Sequence, residues 1–494
     1  MKKYILVLDC GTTCVKSLIY DKNLKFIGMS SRKTESIYPG HGMVEQDPLK
    51  IYALILETAK DVMSKCSIDV REIACAGIGA QRTSWLFWNG KNLKPLCNLI
   101  TWQDTRGTRV LRDLFVENQQ FNSVFPGMAP YLIPLYTPVM VAASKTLSAD
   151  FSDALSNPDV KWGNVDSWLL YMLTGGKQFA TTLSMASNST MLDNKTCEWS
   201  TYIPQYVGMR PDMFPEIREE SSDFGVISKE IFGEEIPICG VIADQQAAMF
   251  AQGCFEPTVA KCTNGSGTFV NVNIGSEYKT FGNFYTSVAW RINGKTSYMF
   301  EGNSYTAGSC LEWGKNQLEL YGSIKQLDEE AAQVKDSNGV YFVPALGGMS
   351  GAPYNDPSAR ASFMGISADC NRKHLVRAML DSIAFAAADV LISFKNLGID
   401  IKKLSVSGGV SNSDIAVQLL SDILDMEISR PESIEATGFG IAALSAMYMN
   451  FIGEADIKKG MSSYKTFKPD PNRENALAQF SMWKKALERS LKWL

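Results

Sequence analysis

Residues Tyr4–Lys16 read YILVLDCGTTCVK. The apolar run Ile5-Leu6-Val7-Leu8 ends at Asp9, turns through Cys10-Gly11-Thr12-Thr13 and resumes through Val15, Leu18 and Tyr20. That pattern predicts a strand, a tight turn and a second strand. A carboxylate stands at the mouth of the turn, Gly11 opens backbone conformations closed to other residues, and two hydroxyls lie beside it. Phosphate oxygens can therefore approach main-chain N–H groups there. The device returns in Cys262–Ile274, CTNGSGTFVNVNI, where Gly265-Ser266-Gly267-Thr268 precedes another apolar strand. One Gly/Thr turn is most often a plain hairpin, because both residues suit turns. Two of them, each heading about half of the chain, point to a duplicated domain that clamps a nucleotide between its copies.

At 494 residues the chain is too long for one core, so two or three domains are expected. With 45% hydrophobic and 20% charged residues it reads as an ordinary globular protein. A formal charge of −4 argues against a nucleic-acid partner. No apolar run approaches the roughly 20 residues that span a bilayer, and MKKYILVLD is too short in apolar residues for a cleaved signal peptide. Eleven cysteines without a CxxC pair suggest buried thiols in a reducing, cytoplasmic setting. Only His41 and His374 are present. A His-rich metal site is excluded, and carboxylates become the better candidates for acid–base work.

Along the first half, a third strand is expected around Lys25–Ser30, and Asp47-Pro48 opens a helix. Strands are expected at Ile73–Ile78 and at Trp85–Trp88, the latter closed by an Asn89-Gly90 hairpin turn. Arg82 stands where a strand leaves its sheet, the place where α/β folds collect ligands. It either hydrogen-bonds a polyol hydroxyl or is solvated there. Trp102 offers an aromatic wall for the CH face of a polyol, or is core. Ile236–Ala243 reads as a strand buried on both faces, delivering Asp244 either as a helix N-cap or as a base for a hydroxyl proton. In the second half, Leu404–Val406 leads through Ser407-Gly408-Gly409 into the helix Asp414–Leu424, a seat for a diphosphate or a simple turn. Arg473–Leu494 is expected to be a packed terminal helix.

Taken together these stretches resemble the FGGY carbohydrate kinases, the glycerol kinase branch in particular. The resemblance rests on Val44–Pro48, Gln81-Arg82, Trp102-Gln103-Asp104, Asp166-Ser167-Trp168-Leu169, Ala243–Ala248, Gly253-Cys254-Phe255-Glu256-Pro257, Phe342-Val343-Pro344 and Ala361–Asp381, all in the family's order. It implies an α/β protein of two actin/hexokinase-type (ribonuclease H-like) domains, residues 1–247 and 248–494, with an interdomain active-site cleft. It also implies ATP, Mg²⁺ and transfer of a phosphoryl group to a small polyol or sugar, glycerol the first guess. By the same resemblance Asp9 helps hold the metal, and Thr12, Thr13 and Lys16 lie beside the phosphates. Asp244 is the base and Gln245 its hydroxyl-binding neighbour, while Arg82, Thr83, Trp102 and Phe269 take substrate-pocket positions. Ser266, Gly308, Glu312, Gly409 and Ser413 take nucleotide-binding positions.

The chain departs from that pattern in places. Thr83 stands where glycerol kinases carry a glutamate, which removes an acceptor for glycerol's hydroxyls. Ser407-Gly408-Gly409 replaces Asp-Gly-Gly, and Ser413 replaces an asparagine. A pocket tyrosine is expected near Tyr131–Tyr136, and the first family signature is absent from Leu135–Thr146. The alternatives are a kinase for a ketose or another short polyol, and a catalytically weak, nucleotide-dependent sensor of the same fold. A homo-oligomer is left open.

Overall fold

The computed structural model describes residues 2–124, 134, 136–280, 285–304, 306–349, 354, 356, 358–431, 435–460 and 464–494. The opening hairpin forms as its pattern dictates: β1 (Tyr4–Cys10) pairs antiparallel with β2 (Cys14–Asp21), and β2 with β3 (Phe26–Lys33). β4 (Ile73–Ala80) runs parallel to β1. After a short β5 (Val226–Ile227), β6 (Ile236–Ala243) runs parallel to β4 on its far side. The sheet order is β5-β6-β4-β1-β2-β3. β4 is buried along its whole length, as a strand covered on both faces must be.

The second half repeats the plan with β7 (Val259–Asn264), β8 (Thr268–Gly275), β9 (Tyr285–Ile292), β10 (Lys295–Ser304), β11 (Lys403–Ser407), β12 (Ile428–Pro431) and β13 (Tyr464–Phe467). Their order is β9-β10-β8-β7-β11-β12-β13. In each sheet a central strand is hairpinned to its successor, a third antiparallel strand follows, and two parallel strands lie on the other side. The duplication inferred from two turns is therefore a duplication of topology.

The helices used below are α1 (Pro48–Lys65), α2 (Asp244–Ala251), α3 (Gly308–Asn316), α4 (Arg372–Asn396), α5 (Asp414–Leu424), α6 (Ala436–Tyr448) and α7 (Glu474–Ser490). Asp47 caps α1, its Oδ1 accepting from Leu49 N at 2.9 Å and Lys50 N at 3.2 Å. α4 buries Ile383 and Phe394, and α7 buries Trp483 and Leu487, whereas Leu477 and Leu494 of the expected terminal helix are exposed. Trp85–Asn89 pairs with Val160–Asn164 in a third, four-stranded sheet. Asn89 does not close a two-residue hairpin: its Oδ1 accepts from Lys91 N and Asn92 N, and its N–H reaches Lys94 O, making a wider loop.

α6 belongs to the C-terminal half in sequence but packs on the first sheet. A Cβ at Gly77 of β4 would lie 2.4 Å from Ser445 Oγ, and one at Gly240 of β6 would lie 2.8 Å from the same atom. Bare glycine backbone is what lets this helix sit so low. α6 also crosses α2 so closely that a Cβ at Gly440 would come within 2.0 Å of Ala247 O. Packing therefore runs across the expected 247/248 boundary. The outer edge of β9 is covered from the first half, where Gln246 Nε2 donates to Val288 O at 3.2 Å and Asn194 Nδ2 to Thr286 O at 3.0 Å. A sheet edge that would otherwise stay unpaired is thereby satisfied.

Candidate functional site

β1 and β6 flank β4, with Asp9 opposite Gly79 and Ala243 opposite Ala80. Asp9 therefore lies one residue before, and Asp244 one residue after, the level of Ala80, two strand spacings or ~10 Å apart across the sheet. Asp244 opens α2 but does not cap it; Ala243 holds the cap position, and Asp244 Oδ1 accepts from Gln245 N at 2.7 Å. Burial pushes the Asp244 carboxyl up, Glu301 adds to this, and Arg82, the Gln245 N–H and Lys261 oppose it. Burial likewise pushes Asp9 up to about 7, against the pull of Lys16 and with the help of Asp244 and Glu435. Asp244 thus adds to the cost of ionising Asp9, which makes the two acids electrostatic neighbours.

Arg82, just beyond β4, is the hub. Its Nε lies 3.9 Å from Asp244 Oδ1, and its Nη1 lies 2.7 Å from Glu301 Oε2 and donates to Asn188 Oδ1 at 3.2 Å. Glu301, on β10, also accepts from Asn271 Nδ2 at 2.7 Å. Glu301 thus supplies a carboxylate to Arg82 from the other half. Thr83 adopts a left-handed φ of 55°, uncommon for a β-branched residue, and its hydroxyl reaches Asn188 O at 3.4 Å. Lys261 Nζ donates to Gln245 Oε1 at 2.6 Å.

At the first turn, Trp102 Nε1 donates to Thr12 Oγ1 at 2.8 Å, and Thr12 Oγ1 donates to Gln81 Oε1 at 2.9 Å. The Thr12 hydroxyl therefore ties the Trp102 ring to the first turn. Thr13 is exposed at the tip. Lys16 pairs with Glu435 at 2.9 Å, immediately ahead of α6.

The second turn gathers a different set. Ser266 O accepts from Ala307 N at 2.9 Å and Ser309 N at 3.0 Å, and Gly265 O accepts from Gly308 N at 2.9 Å. The start of α3 is thereby stitched to the turn. A Cβ at Gly308 would lie 2.5 Å from Gly265 O, and one at Gly408 would lie 2.4 Å from Asn264 O. Gly409 faces open space, with no atom within 4 Å of the point where a Cβ would stand. Ser266, Gly308 and Gly409 thus converge. Phe269, half-buried on β8, lies just beyond the turn. Ser413 caps α5, accepting from Ala416 N at 3.3 Å and donating to Asp328. Glu312 pairs with Lys315 at 2.7 Å on a half-exposed face of α3.

Glu301, Lys261, Asn188 and Glu435 join the site without a motif that marks them in the sequence. Lysine and glutamate within apolar strands are the available signal for the first two, because a charged residue at a buried position needs a partner. The pocket tyrosine expected at Tyr131–Tyr136 falls mostly outside the described residues. Among the described residues, no cluster of three or more His, Cys, Asp or Glu is arranged to hold a metal ion, and no helix is long and apolar enough to cross a membrane.

Residues 4–251 match the N-terminal domain of the FGGY family of carbohydrate kinases, and residues 260–449 match its C-terminal domain. A glycerol kinase of Caldanaerobacter subterraneus subsp. tengcongensis is 35% identical over 501 residues, covering 100% of this chain and 99% of that protein. The crystal structure of Plasmodium falciparum glycerol kinase with ADP superposes with a TM-score of 0.89 at 26% identity, covering 99% of each chain. Gluconate kinase from Lactobacillus acidophilus shares the fold, with a TM-score of 0.86 at 20% identity over 99% of this chain and 98% of that one.

Proposed function

The chain belongs to the FGGY family of carbohydrate kinases, and from that premise we propose that it transfers the γ-phosphoryl of ATP to a hydroxyl of a small neutral polyol, glycerol first among candidates. The observation that supports this reading is that Asp9 and Asp244 lie at the same end of one sheet, where Arg82 stands between Asp244 and Glu301 of the other half. Asp244 accepts the proton of the attacking hydroxyl. Its burial raises its basicity, while Arg82 and Lys261 keep the ionised form accessible. Arg82, Gln245 and the ring of Trp102 align the acceptor so that one hydroxyl faces the γ-phosphorus.

The residues present fit a magnesium nucleotide. Asp9 Oδ1 is buried without a hydrogen-bond partner among the described residues. A lone carboxylate oxygen suits Mg²⁺, which ordinarily takes one or two carboxylates and completes its shell with water and phosphate oxygens. When bound, the ion neutralises charge on the phosphate oxygens of the transferring group. Asp9 would hold it, and Gly409, which faces open space, leaves room for the nucleotide beside the second turn.

The charges around the acceptor position are Asp9, Asp244 and Glu301 against Arg82 and Lys261. That balance disfavours an anionic acceptor and favours a neutral one. The test is ADP release from ATP and magnesium across three- to seven-carbon polyols, ketoses and sugar acids. The expected result is turnover with a neutral short polyol. A ketose with a much higher kcat/KM would reassign the acceptor. Absence of ADP release with every compound would remove the kinase reading.

A further inference from the structure

We propose that Lys261 is a positioning residue for the phosphoryl transfer: from the second half it fixes the Gln245 amide and places a cation behind Asp244, so the acceptor side is complete only when both halves are in register. The inference rests on Asp244 being the base. Lys261 has 0% exposure, and lysines are almost never so deeply buried unless paired. Its two hydrogen-bond partners, Gln245 Oε1 at 2.6 Å and Thr263 Oγ1 at 2.9 Å, are uncharged. An ammonium group whose direct partners are neutral carries a desolvation cost that a merely structural contact between halves would not require.

The surroundings indicate what the charge does. The ionisable groups facing Lys261 are Arg82 after β4, Asp244 on α2, Glu301 on β10 and Cys254 beyond α2. Burial and Arg82 pull its ammonium down to about 8, while Glu301 and Asp244 hold it up. Reciprocally, Lys261 is one of the groups that favour ionised Asp244.

The placement is enforced from behind. Thr263 Oγ1 lies 3.2 Å from Ser407 Oγ, which accepts from Gln252 Nε2 at 3.1 Å. α2 is therefore held to β7 and β11 near both ends, through Gln245 and Lys261 at one and Gln252 and Ser407 at the other. Ser407 stands where the family resemblance would place an aspartate, so a hydroxyl here completes a relay that ends on the lysine.

The test compares the full-length protein with Lys261→Met, Lys261→Arg and Thr263→Val, using the best polyol from the panel. Lys261→Met is expected to lower kcat/KM about ten- to hundred-fold and to move the acid limb of its pH profile up by about one unit, with Kd for ADP unchanged. Lys261→Arg is expected to restore the limb. Thr263→Val keeps the cation and is expected to raise the acceptor KM several-fold without moving the limb. Lys261→Met, folded, with the parental acid limb and kcat/KM would overturn the proposal. If that variant does not fold, an unchanged KM in Thr263→Val overturns it instead. A wild-type protein that turns over no polyol would defeat the functional reading itself, a separate result.

Discussion

The first turn, Asp9–Thr13, and the second, Asn264–Thr268, sit at the same place in two sheets of one strand plan, yet they are built for different work. The first keeps a carboxylate oxygen buried and, among the described residues, unpartnered, and its threonine hydroxyl accepts from Trp102. The second carries no acid; its carbonyls take the first N–H groups of α3, and glycine at 308 and 408 lets three backbones meet. Duplication supplied the frame twice. Divergence then gave one copy a buried charge, and the other close backbone packing.

One substitution separates stability from activity at the first turn. Asp9→Asn should lower turnover by roughly 10²–10³-fold while raising thermal stability at neutral pH. Asp9's folded value of about 7 lies above the ordinary carboxylate value of 3.8. Between those values the folded chain holds a proton that the unfolded chain has released, so stability falls as pH climbs through this window and stays low above it. The amide variant has no such dependence. Thermal melts from pH 4 to 8 should show wild type and variant converging in acid and parting by a few kcal/mol near pH 8. Equal slopes would mean that the buried acid is not strained.

At the second turn the effects should fall on nucleotide and fold together. Gly308→Ala forces a Cβ against Gly265 O at 2.5 Å. A loss of ~1–3 kcal/mol in stability is expected, with weaker ADP binding by calorimetry and an unchanged acceptor KM. A changed acceptor KM would blur the division between the two turns. Ser413→Ala should cost only ~1 kcal/mol, the worth of an N-cap, and leave the Kd for ADP alone. A tenfold loss of ADP affinity there would instead make Ser413 a nucleotide contact.

Much of the frame is legible in the sequence because it is local. β1, the turn, β2, the Asp47 cap and the buried strand β6 are each written in a few consecutive residues. α6 is not legible as part of the first sheet. Its sequence, ATGFGIAALSAMY, is apolar or small almost all round, so it carries no stripe that says which layer it joins. The site divides the same way. Asp9, Arg82 and Asp244 announce themselves at strand ends. Glu301 and Lys261 do not, because what makes them part of the site is contact with Arg82 and Gln245, far away along the chain, that only the tertiary fold creates. Asn89-Gly90 misleads for a related reason: the strand it ends pairs with Val160–Asn164, so no short hairpin is needed.

In the proposed reaction Asp244 takes the acceptor's proton while the nucleotide is held elsewhere, at Asp9 and the second turn. Asp244→Asn should therefore bind ADP with the parental Kd by calorimetry, yet lose on the order of 10²–10⁴-fold in ADP release with the best polyol. Parental turnover in that variant would contradict the account.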